Sequence, residues 1–153
     1  MPSFLTSIQN SLKRKVKALP LPYMIGDAKD CIGCEAPCMS VCETDIIVRS
    51  EDGGVALSFK EQGCTYCEEC AKACIKEVLS LNSPSPQINA TIFIDEAACI
   101  AHHGVMCMSC KDPCLEDAIV FNGLFSPEII QGKCTSCGFC YPRCPADAIR
   151  VVA

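Results

Sequence analysis

Apolar residues along this chain come in short runs, each cut off by a turn signal. Ile46-Ile47-Val48 and Val55-Ala56-Leu57 flank Asp52-Gly53-Gly54, the pattern of two β-strands joined by a tight hairpin. Ala118-Ile119-Val120-Phe121, then Asn122-Gly123, then Glu128-Ile129-Ile130 repeat the idea less tidily. The last residues, Ala148-Ile149-Arg150-Val151-Val152, read as a strand able to pair with Thr91-Ile92-Phe93-Ile94. The N-terminal stretch has a different period. Phe4, Leu5, Ile8, Leu12, Val16 and Leu19 fall on one helical face, with Lys13, Arg14, Lys15 and Lys17 elsewhere, and Pro20 and Pro22 end the pattern. Asn82-Ser83-Pro84-Ser85-Pro86 is the best linker in the sequence.

Composition changes this picture, because such short elements bury little. The 153 residues include no Trp, three Tyr and six Phe, so cross-links or metals must help the fold. Sixteen residues are cysteine. No apolar run approaches the length of a membrane-spanning helix, and the N-terminus lacks the apolar core of a secretory signal. A cytoplasmic location is therefore expected, with thiols serving as metal ligands rather than disulfides. The formal charge of −5 speaks against nucleic acid as a partner. The basic amphipathic segment, residues 3–19, suits docking on a partner or on the chain itself, or a peripheral contact with the inner face of an anionic membrane.

The cysteines form four groups whose first members are spaced 33, 35 and 35 residues apart, a fourfold repeat. They are Cys31, Cys34, Cys38 and Cys42; Cys64, Cys67, Cys70 and Cys74; Cys99, Cys107, Cys110 and Cys114; and Cys134, Cys137, Cys140 and Cys144. Groups two and four read C-x-x-C-x-x-C-x-x-x-C, and the last runs on into Pro145. This is the bacterial ferredoxin pattern for 4Fe–4S clusters, in which the fourth Cys ligates the neighbouring cluster. Group one carries one extra residue, Pro37, and group three has seven residues between Cys99 and Cys107. Both changes lengthen a loop without removing a ligand. Structural zinc uses two separated C-x-x-C pairs, a disulfide framework needs an oxidising compartment, and a thiol oxidoreductase needs one pair. None fits four dense groups.

The fold class expected is α+β: two tandem ferredoxin-like modules, each of short helices and two-stranded hairpins around two clusters. Residues 1–26 form the basic segment, 27–82 the first module, 83–89 a linker and 90–153 the second module. Sequential pairing of groups gives four ligand sets: Cys31, Cys34, Cys38 with Cys74; Cys64, Cys67, Cys70 with Cys42; Cys99, Cys107, Cys110 with Cys144; and Cys134, Cys137, Cys140 with Cys114. A nested arrangement, with group two paired to three and one to four, is the alternative; the short Asp-Gly-Gly turn favours the sequential one.

Four such clusters move electrons, and with all sixteen thiolates used no iron is left open to a substrate. No Gly-rich phosphate loop is present. The two histidines, His102 and His103, lie in the long loop of group three, where surface roles outnumber functional ones. Ile32, Tyr66, Ile100 and Phe139 sit in or beside the ligand loops as apolar cover. At about −2 per oxidised cluster, the loaded chain approaches −13, a field that favours a basic docking patch on a partner.

Several stretches resemble the NapF family of ferredoxin-type proteins: Asp52-Gly53-Gly54 with Ser58-Phe59-Lys60, the loop from Cys64 to Cys74, Phe93 to Cys99 with the long gap to Cys107, and Cys134-Thr-Ser-Cys137-Gly-Phe-Cys140. The likeness covers roughly residues 13–153. The extra residue in group one, and Ile75 where a proline is frequent, depart from it. The resemblance implies a cytoplasmic iron–sulfur accessory protein with no substrate site, contacting the catalytic subunit of periplasmic nitrate reductase before export and assisting its maturation. The alternative is an electron-transfer subunit serving another redox protein.

Overall fold

The structure is a computed structural model and describes residues 18–153. The basic amphipathic stretch therefore lies outside the described residues, apart from its last apolar position, Leu19. That side chain is buried and its backbone bridges Leu57.

The first half is built on the expected hairpin. Strand β1 (Ile47–Arg49) pairs antiparallel with β2 (Val55–Leu57) in the register Ile47 with Leu57 and Arg49 with Val55. Gly53, at φ 87°, makes the turn in a backbone region that costs a side-chain-bearing residue strain. A second, minimal ladder joins Met24 to Leu79. The helices are single turns: a 3-10 turn over Ala28–Cys31, α1 (Pro37–Ser40) and α2 (Glu69–Lys72). The apolar interior gathers Leu19, Leu21, Tyr23, Ile46, Val55, Phe59, Val78 and Ile88 together with cysteines of groups one and two.

The second half has the same plan with longer strands. β3 (Thr91–Ile94) pairs antiparallel with the terminal β6 (Ile149–Val152), from Thr91 opposite Val152 to Ile94 opposite Ile149. Between them, β4 (Ile119–Asn122) and β5 (Phe125–Ile129) form a hairpin about Gly123, at φ 75°, with a register shift between Phe121 and Asn122. β5 thus starts three residues earlier than the Glu128 run suggests, because Pro127 is accommodated opposite Phe121 and fully buried. Among the described residues the third and fourth groups contain turns but no α-helix. Ile92, Ile119 and Ile149 are buried among cysteines of these groups. The outcome is an α+β ferredoxin-like fold, short elements wrapped around thiols.

The Asn82–Pro86 stretch, expected as a linker, is held by hydrogen bonds. Pro86 O accepts from Tyr23 N at 3.2 Å, and Ser83 Oγ donates to Met24 O at 3.2 Å. No helix among the described residues is long and apolar enough to cross a membrane.

Candidate iron–sulfur centres

Each group is delivered by its flanking element. Asp27 caps the 3-10 turn that ends at Cys31, accepting from Lys29 N at 2.9 Å while Asp30 returns a bond to Asp27 N. Asp95 starts the third group: its carbonyl accepts from Cys99 N at 2.9 Å, and its side chain accepts from Ala97 N at 3.2 Å. The end of β5 starts the fourth, with Cys134 N donating to Ile130 O at 3.0 Å. Tight loops then turn through left-handed residues: Gly33 and Ala36, Tyr66 and Glu68, Ser136 and Gly138.

A repeat not singled out in the sequence follows every fourth cysteine. Asp45, Glu77, Asp117 and Asp147, each three residues on, all take positive φ, and each N–H donates to the carbonyl of that cysteine at 3.1–3.4 Å. Two apolar residues then enter the core, as in Ile46-Ile47 and Ala148-Ile149. The signal was present in the chain as Cys-x-x-acid-apolar-apolar, repeated four times. Asp tolerates the left-handed region better than most residues, which accounts for three of the four.

These loops bring thiols from different groups to shared recesses. One enclosed, almost wholly apolar recess is lined by Cys99, Cys107, Cys110 and Cys144, with Ile94, Ile100, Ala148 and Ile149. A second is lined by Cys42, Cys64, Cys67 and Cys70, with Tyr23, Ile46, Leu57 and Tyr66. Burial raises the Cys38 thiol to about 11, with Cys74, Cys31 and Cys34 close enough to push the same way. Burial likewise raises Cys140 to about 12, with Cys137, Cys134, Cys110 and Cys114 close enough to push the same way. Cys70 is pushed up to about 12 and Cys110 to about 11, in both cases mainly by burial. Such thiols stay protonated in the bare chain and become thiolates when metal binding supplies the compensating charge.

The recesses fit iron–sulfur clusters. All sixteen cysteines are free thiols. Each recess is apolar and lined by four of them, three from one loop and one from another, the donor set of a cubane bound at its corners. Backbone N–H groups already point at sulfur: Ala36 N to Cys34, Tyr66 N to Cys64 and Leu79 N to Cys74 at 3.4 Å, and Ala148 N to Cys144 at 3.2 Å. Such bonds stabilise negative charge on sulfur and tune reduction potential.

Neighbouring side chains sort into different roles. His102 Nε2 reaches Pro127 O at 3.2 Å and His103 Nε2 reaches Ala97 O at 3.0 Å, so both rings tie down the long loop. Ile32 is 49% exposed and gives no cover to the first group, since its loop turns outward at Gly33. Arg49, unremarked in the sequence, sends its guanidinium to Cys34 O and to Gly53 O, the latter at 3.0 Å. It sets positive charge beside the first group and acts to lower the Cys31 thiol against the larger effect of burial.

Thiols gathered in apolar recesses, with amides aimed at sulfur, define a ferredoxin-type iron–sulfur protein that carries electrons on multiple 4Fe–4S clusters. Residues 127–150 match the 4Fe-4S binding domain family. The chain is 33% identical over 124 residues to the ferredoxin-type protein NapF of Escherichia coli K12, covering 78% of this chain and 73% of the relative. NapF of Haemophilus influenzae is 30% identical over 155 residues, covering 96% and 86%. The ferredoxin-type protein NapG of the same organism is 26% identical, covering 93% of this chain and 61% of the relative. The chain belongs to the NapF family of ferredoxin-type proteins.

Proposed function

We propose that this protein is a cytoplasmic accessory factor and electron carrier for the catalytic subunit of a periplasmic nitrate reductase, acting on that subunit before export. The observation that carries the reading is the placement of the thiols. Cys99, Cys107, Cys110 and Cys144 line one recess, and Cys64, Cys67, Cys70 and Cys42 another; on that basis we assign four ligand sets, these two together with Cys31/34/38 with Cys74 and Cys134/137/140 with Cys114, each to hold one 4Fe–4S cluster. Two ferredoxin-like modules, residues 27–82 and 90–153, each contribute two sets.

When bound, such a centre exchanges one electron with little change in geometry. The chain's own residues do the rest. Apolar side chains such as Ile94, Ile149, Ile46 and Leu57 keep water from the recesses. The amides of Ala36, Tyr66, Leu79 and Ala148 hold sulfur in place. No cysteine is left over to activate a substrate, which suits a carrier without catalytic activity of its own. Family membership supports the nitrate reductase partner, and the basic stretch 3–19 is the segment assigned to docking.

Two measurements test this. Anaerobically purified protein should carry about sixteen iron atoms with matching acid-labile sulfide, and EPR signals should appear on reduction. A pull-down with the unexported catalytic precursor should retain it. Failure to bind removes the accessory role and leaves an electron-transfer subunit of another complex.

A further inference from the structure

The two halves of the chain meet at the ligand loops themselves. Cys64 N donates to Cys137 O at 2.6 Å, joining the second group directly to the fourth. Around this bond the packing leaves no slack. A Cβ at Gly63 would lie 2.5 Å from Phe139 N and 2.7 Å from Cys137 O, both backbone atoms that have nowhere to go. On the other side, Phe59, 3% exposed, lays its ring on Gly138, where a Cβ would come within 2.5–2.6 Å of the ring carbons. Tyr66, from the second loop, donates its hydroxyl to Thr135 O in the fourth and accepts from Ile88 N at 3.2 Å. Ser136 donates to Ala90 O beside it. Within each half the inner cysteines share one buried cluster, Cys38 with Cys70 and Cys110 with Cys140.

We propose that Gly63 and Gly138, locked by Tyr66, are positioning residues that hold the second and fourth thiol sets against each other, so that the four sets run in the order one, two, four, three. The order differs from the chain order, and it makes the first and third sets the two ends. Tunnelling falls steeply with distance, so this junction is where charge crosses between halves. One electron leaves a centre on one side, oxidising it, and reduces a centre on the other; no bond is made or broken and no proton is required. The first electron comes from a reduced redox protein at one end. The proposal rests on the ligand sets given above.

The test compares fully reduced wild type with Gly63→Ala, reading iron content and EPR line shape. Gly63 has no left-handed φ, so alanine there adds bulk without backbone strain. With about sixteen irons retained in both proteins, the wild type should show magnetic coupling extending over all four centres, and Gly63→Ala should lose the coupling between halves while keeping that within each. Tyr66→Phe, which removes only the hydroxyl, should weaken the same coupling to a smaller degree, and it decides the matter if Gly63→Ala does not fold. Full iron with coupling confined to pairs in the wild type overturns the proposal alone, as does coupling unchanged by both variants. An iron content near eight in the wild type overturns the ligand sets and this proposal with them.

Discussion

Phe59→Ala and Gly138→Ala together form a double-mutant cycle at the junction. Phe59 is 3% exposed, and its truncation removes a buried ring. Phe→Ala changes of this kind cost about 3–5 kcal/mol. Gly138→Ala does harm in two ways: the new methyl would meet the ring at 2.5–2.6 Å, and the residue sits at φ 82°. Overpacking costs about 1–3 kcal/mol and left-handed strain about as much again. In the double variant the clash has no partner, and only the cavity and the backbone strain remain. The combined effect should therefore fall short of the sum by at least about 1 kcal/mol. The assay is anaerobic thermal bleaching of the visible cluster absorbance, run at one scan rate for all four proteins because unfolding is irreversible once clusters are lost. At about 2–4 °C per kcal/mol for a chain of this size, Phe59→Ala lowers the apparent Tm by roughly 6–20 °C. Losses that add to within about 0.5 kcal/mol refute the contact between ring and glycine.

Cys42→Ser and Cys74→Ser, one residue each from neighbouring groups, should act crosswise. Cys42→Ser should abolish the same EPR signal as Cys67→Ser, and Cys74→Ser the same signal as Cys34→Ser; matching Cys42 with Cys34 would disprove the pairing. Arg150→Ala removes the 3.0 Å ion pair to Asp95 across β3 and β6. Those side chains are 38% and 34% exposed, so the loss is about 1 kcal/mol or less and shrinks in high salt, as denaturant midpoints at two ionic strengths will show. His102→Ala should leave iron content and reduction potentials unchanged while speeding protease cleavage within residues 100–106, since the ring anchors that loop to Pro127. A shifted potential would give the ring an electronic role instead.

Much of this molecule is local, and local features are readable in order along the chain. C-x-x-C turns, the Asp52-Gly53-Gly54 hairpin, the Gly123 turn and the alternation of buried Ile92 with exposed Thr91 and Phe93 are all set by backbone sterics and by which side chains avoid water. The chemistry was legible for the same reason, because three of the four thiols in each recess come from one short loop. Harder to see was Arg49, whose role depends on where hairpin register points it, and the acid three residues after each fourth cysteine, which reads as ordinary surface until its φ is known.

Which distant loops meet is another matter. Sequential and nested pairings of the groups satisfy the same spacings; that Cys42 lines the recess of Cys64, and Cys144 that of Cys99, is a property of the packing. Nothing in the order of residues sets Cys64 beside Cys137, or Phe59 on Gly138, across more than seventy positions. Turn and strand propensities act over a few residues, whereas the approach of two loops depends on the shape of every surface between them. A glycine that reads as one more flexible position in the sequence becomes, once both halves have closed, the point where no other residue fits.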